Sequence, residues 1–569
     1  MRMSQLFART LRDAPADAEA VSHKLLVRAA MVRQLMSGVY TFLPLGLRVL
    51  RKIERIIREE MDASGAQEIT MPVLLPAEPW RATGRLEAYG ELMFKLRDRH
   101  ERELVLGPTE EEIVTPLVAG ELGSYRDLPV NLYQSGLKYR DESRPRYGLL
   151  RAREFLMKDA YSFDRNEDDL HVAYRTMTDA YDRIFTRCAL EFRMVEADPG
   201  TIGGDVNHEF MALADAGEDE FLYCENGDYA ADVEAATSKR PEPATSGDLD
   251  AMQDVSTPGR SSIAAVAELL ERPETELLKT MLFDASGTTV AVLLPGNHEV
   301  NEEKVARALW PSTVRPLTEE EIAGRGFVKG YTGPQGLPED VTVLADPAVA
   351  ARRNWIAGAN RADFHATGVN EGRDFRVDRW EDVVRVSDGD PCPIDGGTLH
   401  YARAMVVGHT YELGTRYSVP LKATFVDEDG TEQPYVMGSY GIGLPRVMAA
   451  VAEQFHDDGG LRWPKALAPY AVVVIVTNRD DERAVAEAER IYGELQDRGV
   501  ETVLDDREVT AGVKFADADL IGFPVQVVVG KRGVAAGTAD LKLRATGDRS
   551  QAPLAEASDA AERLLAEAP

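Results

Sequence analysis

Leu50, Ile53, Ile57 and Met61 recur every three or four positions, and that spacing predicts an amphipathic helix with one apolar stripe. Gly65 stands where a C-cap belongs, and residues 67–71 read as a strand that stops at Pro72. Upstream, Leu25, Ala29, Val32 and Met36 share one helical face, so a helix is expected over residues 22–36, ending at Gly38. Further along, Ile263–Leu270 reads as a helix, and residues 277–294 as two strands around the Ala285-Ser-Gly287 turn. The last hundred residues repeat a βαβ rhythm: a strand over 471–476, then a helix with Val485, Ala488, Ile491 and Leu495 on one face. Gly499 ends that helix, a second strand runs to Leu504, and a third covers 524–529.

Composition narrows the class. A chain of 569 residues with 44% apolar and 28% charged residues has room for three or four domains with ample cores. The run over 470–476 is typical of a buried strand and far shorter than the roughly 18 apolar residues that span a bilayer. Near the start, Arg2, Arg9 and Arg12 are interrupted by Asp13 and Asp17, with no apolar signal core, so a cytoplasmic protein with no membrane association is expected. Cys188, Cys224 and Cys392 lie far apart in the chain with no C-x-x-C pair, which argues against disulfides and structural zinc. A stretch from Lys239-Arg-Pro-Glu-Pro through Pro258-Gly259 is poor in large apolar residues and reads as a surface linker. These shifts predict four segments: 1–225, an insertion over 226–403, 404–465 and 466–569.

Charge is unevenly spread. The net charge is −31, yet residues 138–153 hold six basic side chains against two acidic ones. A loop that basic in so acidic a chain suits an anionic ligand, and the separated Arg140 and Arg151 suit a nucleoside triphosphate, with Phe155 placed to stack on a base. A second motif, Gly438-Ser-Tyr-Gly441-Ile-Gly443-Leu-Pro-Arg446, alternates glycine with larger residues and ends in arginine before an apolar run over 447–451. Alternate glycines let a ligand approach the backbone closely, and an arginine at a helix start would meet phosphate where the dipole also favours an anion.

Helix, strand and proline, then an arginine hairpin, then a glycine strand with arginine: this order resembles the three motifs of class II aminoacyl-tRNA synthetases. The resemblance narrows to the bacterial type of prolyl-tRNA synthetase. Gly107-Pro-Thr109-Glu-Glu111, Arg140-Asp-Glu-x-Arg-Pro-Arg146, Arg153-Glu-Phe-Leu-Met-Lys-Asp-Ala-Tyr-Ser162 and Gly203-Gly204-x-x-x-His208-Glu-Phe210 carry it, together with the long insertion before the glycine motif. Pro445 departs from the acidic residue that other class members often place there. The fold implied is α+β: an antiparallel-sheet catalytic core, an inserted mixed α/β editing domain and a C-terminal α/β anticodon-binding domain. The first motif implies a homodimer.

The activity implied is ligation of proline to its tRNA in two steps through prolyl-adenylate. The attacking carboxylate is already ionised, so positioning and charge neutralisation matter more than a general base, which fits a site rich in arginine and poor in histidine. By resemblance, Arg140 bridges the α-phosphate and the proline carboxylate, Arg151 and Arg446 hold the outer phosphates, Phe155 stacks on adenine and Glu142 lies near its amino group. Gly441 and Gly443 line the ATP site, Mg²⁺ bridges phosphate oxygens, and Glu412 is either its ligand or a structural carboxylate. Thr109, Glu111 and His208 are implied at the proline pocket, His208 with the alternative of a satisfied core histidine. Glu110 and Glu112 read instead as carboxylates at a helix N-terminus. In the insertion, Lys279, Asp346 and His365 match editing positions, and the five glycines of residues 324–336 resemble a substrate loop. Lys514 and Lys531 are either RNA contacts or ordinary surface charges. A synthetase-like regulator would be expected to lose motif arginines, a free-standing deacylase would need only the insertion, and threonyl enzymes use zinc, for which no Cys/His cluster is apparent in the sequence.

Overall fold

The computed structural model describes residues 1–569 apart from 199, 201, 205, 215, 216, 228, 245, 246 and 311. Two compact units emerge, one of residues 1–194, 199–219 and 403–569, the other of residues 195–198 and 220–402.

The first unit is built on an antiparallel sheet. Strands Val130–Tyr139 and Glu154–Asp164 form a long hairpin with Tyr139 opposite Glu154. Val436–Gly443 pairs with the second of these, and residues 408–414 of the next strand pair with Val436–Gly443 in turn. Val206–Leu213 pairs antiparallel with residues 404–412 of that strand, while the short strand Gln67–Glu68 runs parallel to Val130–Tyr139 at the far edge. Helices Pro44–Ala63, Glu167–Arg187 and Leu444–Gln454 cover one face. Leu50, Ile53, Ile57 and Met61 are buried in that layer, so the stripe read from the sequence serves the chain's own core. In the C-terminal part, Val472–Val476 lies parallel between Thr502–Asp505 and Val525–Val529, with helix Glu482–Asp497 supplying Ala484, Ala488, Ile491 and Leu495 to the core.

Two expected elements differ. The helix over 22–36 ends at Arg28, and Val32–Met36 turns into a hairpin with Val39–Phe42. Ala30 adopts φ 56°, a left-handed conformation that no α-helix continues through. In the inserted unit, Gln253–Ser256, which falls within the expected linker, pairs with the strand Phe364–Val369. The other expectations there match: helix Ile263–Leu270, and a hairpin of Leu278–Ala285 with Thr288–Pro295. Its turn residues Ser286 and Gly287 both have positive φ (50° and 93°), the tight-turn geometry that follows strand twist. Cys224 and Cys392, remote in sequence, come together with Asp395.

Candidate active site

Alternation along adjacent strands decides which side chains share the sheet's open face. Phe155, Met157 and Asp159 from one strand, Ser439, Gly441 and Gly443 from the next, and His409 and Tyr411 from the third line a cavity of about 270 Å³. Thr109, Glu111, Arg140, Glu142, Arg151 and Arg446 complete its wall. Nine residues singled out from the sequence therefore line one cavity: Thr109, Glu111, Arg140, Glu142, Arg151, Phe155, Gly441, Gly443 and Arg446. At Gly441 a Cβ would come within 2.3 Å of Met157 Cε, so a side chain there would displace the floor of the cavity.

The arginines are held in distinct ways. Arg140 leaves the hairpin with its backbone N–H on Arg153 O (2.9 Å), its guanidinium 5.3 Å from the Phe155 ring centroid and Nη2 donating to Pro108 O at 3.3 Å. Its Nε is buried and has no hydrogen-bond partner among the described residues. Arg151 Nε donates to Glu142 at 2.8 Å, and Arg153 clamps Glu142 O at 3.0 and 2.9 Å, which fixes the loop. Arg446 sits in the first turn of helix Leu444–Gln454 and donates to Val406 O at 3.1 Å.

Beside them lies a buried carboxylate cluster. Glu111 opens helix Glu111–Glu121 and accepts from Thr109 (2.7 Å), Ser439 (2.9 Å) and Arg85 (3.1 Å). Burial alone would raise its carboxyl, but the Arg85 guanidinium and the Thr109 hydroxyl hold it below the ordinary range. Glu112 shares Arg85 at 3.0 Å, and burial pushes it up to about 7 despite that partner. Glu110, at the helix N-cap, is pushed up to about 8 by burial, with Lys138 3.3 Å away opposing the shift. Glu110 and Glu112 thus stand at a helix N-terminus as expected, although both are buried.

His208 and Glu412 require correction. Glu209 and His409 pair across strands and line the cavity, so His208 and Thr410, also paired, face the helix layer instead. His208 Nδ1 meets the Tyr174 hydroxyl at 2.7 Å, and burial lowers its pKa. Glu412 lies on the same back face, 2.7 Å from His171 Nδ1, one helical turn before Tyr174. Neither reaches the cavity.

In the inserted unit, Lys279 Nζ donates to His298 O (2.7 Å) and Glu299 (2.9 Å). Asp346 is fully buried, accepts from Ala348 N at 2.9 Å and lies 3.2 Å from Arg240; burial raises its carboxyl. The pairings Lys279–Leu294 and Leu293–Ala345 place both at one end of a five-stranded sheet. His298 feels both charges, although burial is the main cause of its lowered pKa. His365 belongs elsewhere, with Thr257 on its Nδ1 at 2.7 Å and the Tyr331 ring 5.4 Å away in the glycine-rich segment.

Residues 94–455 match the tRNA synthetase class II core domain (G, H, P, S and T), and residues 471–564 match an anticodon binding domain. A proline–tRNA ligase of Desulfitobacterium hafniense is 48% identical over 571 residues, covering 100% of this chain and 99% of its own. One from Geobacillus kaustophilus is also 48% identical, with 99% and 100% covered. The chain belongs to the proline–tRNA ligase family. The fold of a solved prolyl-tRNA synthetase from Cryptosporidium parvum is similar, with TM-score 0.56 and 14% identity over 96% of this chain and 75% of that one.

Proline–tRNA ligases join proline to tRNA at the expense of ATP, and the cavity offers three arginines for an anionic nucleotide beside a carboxylate for a cationic amine. Arg85, Asp159, Glu209, Asp219 and His298 were missed in the sequence. Arg85 lies in the four-residue helix Arg85–Ala88 outside any motif, so only its burial against Glu111 and Glu112 reveals it.

Proposed function

We propose that the cavity activates proline with ATP, that the adenylate is passed to tRNA(Pro), and that the inserted unit hydrolyses alanine wrongly attached to that tRNA. The observation carrying the first part is the buried Nε of Arg140, without a hydrogen-bond partner among the described residues, in the wall of the cavity that Glu111 also lines. An orphaned buried donor carries a desolvation cost that an anionic ligand would offset. Arg140 bridges the α-phosphate and the proline carboxylate, Arg151 and Arg446 hold the outer phosphates, Phe155 carries the adenine ring, and Glu142 meets its amino group. Glu111, kept ionised by Arg85 and Thr109, accepts from the secondary ammonium of proline. Mg²⁺ supplies charge neutralisation at the phosphates when bound. Glu209 and Asp219 on the cavity wall are oxygen donors of the kind it takes.

Arg140→Ala should lower proline-dependent pyrophosphate exchange by roughly 10²–10³, the loss expected for a transition-state charge contact. Wild-type exchange in that variant would remove Arg140 from its assigned role.

Alanine fits any pocket shaped for proline, and lost apolar contacts discriminate by only about 1–3 kcal/mol per methylene. A separate hydrolytic site is the physical remedy, and Lys279 and Asp346, at one end of the five-stranded sheet, are its assigned polar groups, without His365, which lies on another sheet. Lys279→Ala should slow hydrolysis of alanyl-tRNA(Pro) while sparing proline exchange. Intact deacylation would place the editing chemistry elsewhere. We also infer a homodimer in the cytoplasm, and the exposed Leu35 and Met36 on the hairpin Val32–Phe42 support an apolar contact with a second copy. Sedimentation only as a 62.6 kDa species at micromolar concentration would contradict that assembly.

A further inference from the structure

Two short loops of the inserted unit resemble each other. Cys224-Glu-Asn-Gly227 and Cys392-Pro-Ile-Asp395 each carry a cysteine and, three positions later, a residue turned to the same spot. The first loop is closed by Cys224 N–H on Tyr229 O at 2.9 Å. The second is closed by Cys392 N–H on Gly397 O (2.6 Å) and Gly396 N–H on Cys392 O (3.0 Å). The two thiols and the Asp395 carboxylate present ligand atoms within 4.8 Å of one another, with Cys224 Sγ 3.3 Å from Asp395 Oδ1. We propose that Cys224, Cys392 and Asp395 form a binding site for zinc(II), with water as the fourth ligand.

The donor set points to the metal. Two thiolates with one carboxylate suit zinc, and a hard cation such as Mg²⁺ would avoid the sulfurs. Metal–ligand bonds of about 2.0–2.3 Å in a tetrahedron put its corners roughly 3.3–3.8 Å apart, so rotamer adjustments close the site. Gly227 marks the fourth corner: a Cβ there would lie 3.6 Å from Asp395 Oδ2. Having no side chain, it leaves that corner to water. The backbone of the second loop seals the other side, because a Cβ on Gly397 would lie 3.1 Å from Cys224 Sγ and 3.2 Å from Asp395 Oδ1.

Supporting groups surround the donors. Gly397 N–H donates to Asp395 Oδ1 at 2.9 Å, orienting the carboxylate as outer partners of metal ligands do. Lys239 Nζ lies near the same loop, 3.7 Å from where a Gly396 Cβ would stand, and offsets the excess negative charge of two thiolates and a carboxylate on a divalent ion. Leu222, Tyr229, Val386 and Leu399 pack behind the cysteines, while the exposed Asp395 leaves a path for entry. On binding, both thiols release their protons to solvent and no redox change occurs. The site joins the first and last segments of a long inserted loop, where a cross-link restricts the unfolded chain most.

The test uses the full chain, stripped with chelator and titrated with Zn²⁺ or Co²⁺. Roughly one zinc per chain should bind, and cobalt should give near-ultraviolet thiolate charge-transfer bands with tetrahedral visible bands. Cys224→Ser and Cys392→Ser should each weaken zinc at least ~10-fold, and Gly227→Cys should tighten it by ~10-fold or more. The cobalt spectrum of the unaltered chain and the gain in Gly227→Cys stand even if a serine variant fails to fold. Absence of thiolate bands, or no gain from Gly227→Cys, would overturn the proposal. So would a dithiothreitol-sensitive disulfide between Cys224 and Cys392 in a chain that binds no metal.

Discussion

Arg85 is almost fully buried, with its guanidinium 5.1, 5.0 and 5.1 Å from the ring centroids of Trp80, Tyr89 and Tyr417. It is paired with both Glu111 and Glu112, so it decides which of two adjacent carboxylates stays charged. Removing it would leave two buried acids without their cation, a change that typically costs about 3–5 kcal/mol. Arg85→Met should therefore lower the thermal midpoint of the unit and raise KM for proline more than it lowers kcat. An unchanged KM would mean that Glu111 does not hold the substrate amine. Arg140 and Glu111 were legible in the sequence because each sits in a motif with several chemically distinctive neighbours. Arg85 was not, because a lone arginine between short helices gives no indication of burial.

At the scale of elements, strand parity explains both what was readable and what was not. The hairpin arginines and the glycine strand could be placed from spacing alone, since Phe155, Gly441 and Gly443 share one face by alternation. His208 and Glu412 sit in strands whose two faces are both covered, one by helices and one by polar cavity groups, so residue type could not tell the faces apart. The irregular pairings between Phe210 and Met211, and between Glu412 and Gly414, blur the count further. Likewise, periodicity carried the first helix through Ala30 because nothing in an alanine announces a left-handed φ.

The strand Glu154–Asp164 ends on a carboxyl that burial pushes up to about 7, against the Ser162 hydroxyl 2.7 Å away. A carboxyl raised in the folded state keeps its proton after the unfolded chain has lost it, between about pH 4 and pH 7. Its contribution to stability is thus present at low pH and falls as pH rises through that window, by at most about 1.4 kcal/mol per pH unit. Asp164→Asn removes the titration and preserves the shape. Its midpoint advantage over the unaltered chain should grow from pH 5 to pH 8. A difference independent of pH would show that Asp164 is ionised throughout.

Across the whole molecule, an acidic chain of net charge −31 carries a compact basic hairpin, so its attraction for nucleotide and RNA is local and should weaken steeply with salt. The insertion separates the hairpin from the glycine strand in sequence, yet residues 154–164 and 436–443 pair directly in one sheet. That long-range closure was readable only through the order of motifs, since no local pattern links two segments so far apart. The pairing of Cys224 with Cys392 was hidden for the same reason.

The central claim is that this cavity selects and activates proline. Pyrophosphate exchange into ATP, run with the purified chain and each of the twenty amino acids in turn, tests it most directly. Proline should drive exchange well above every other amino acid, with alanine weaker but measurable because its smaller side chain fits the same pocket. Exchange driven best by another amino acid, or none with proline, would contradict the account.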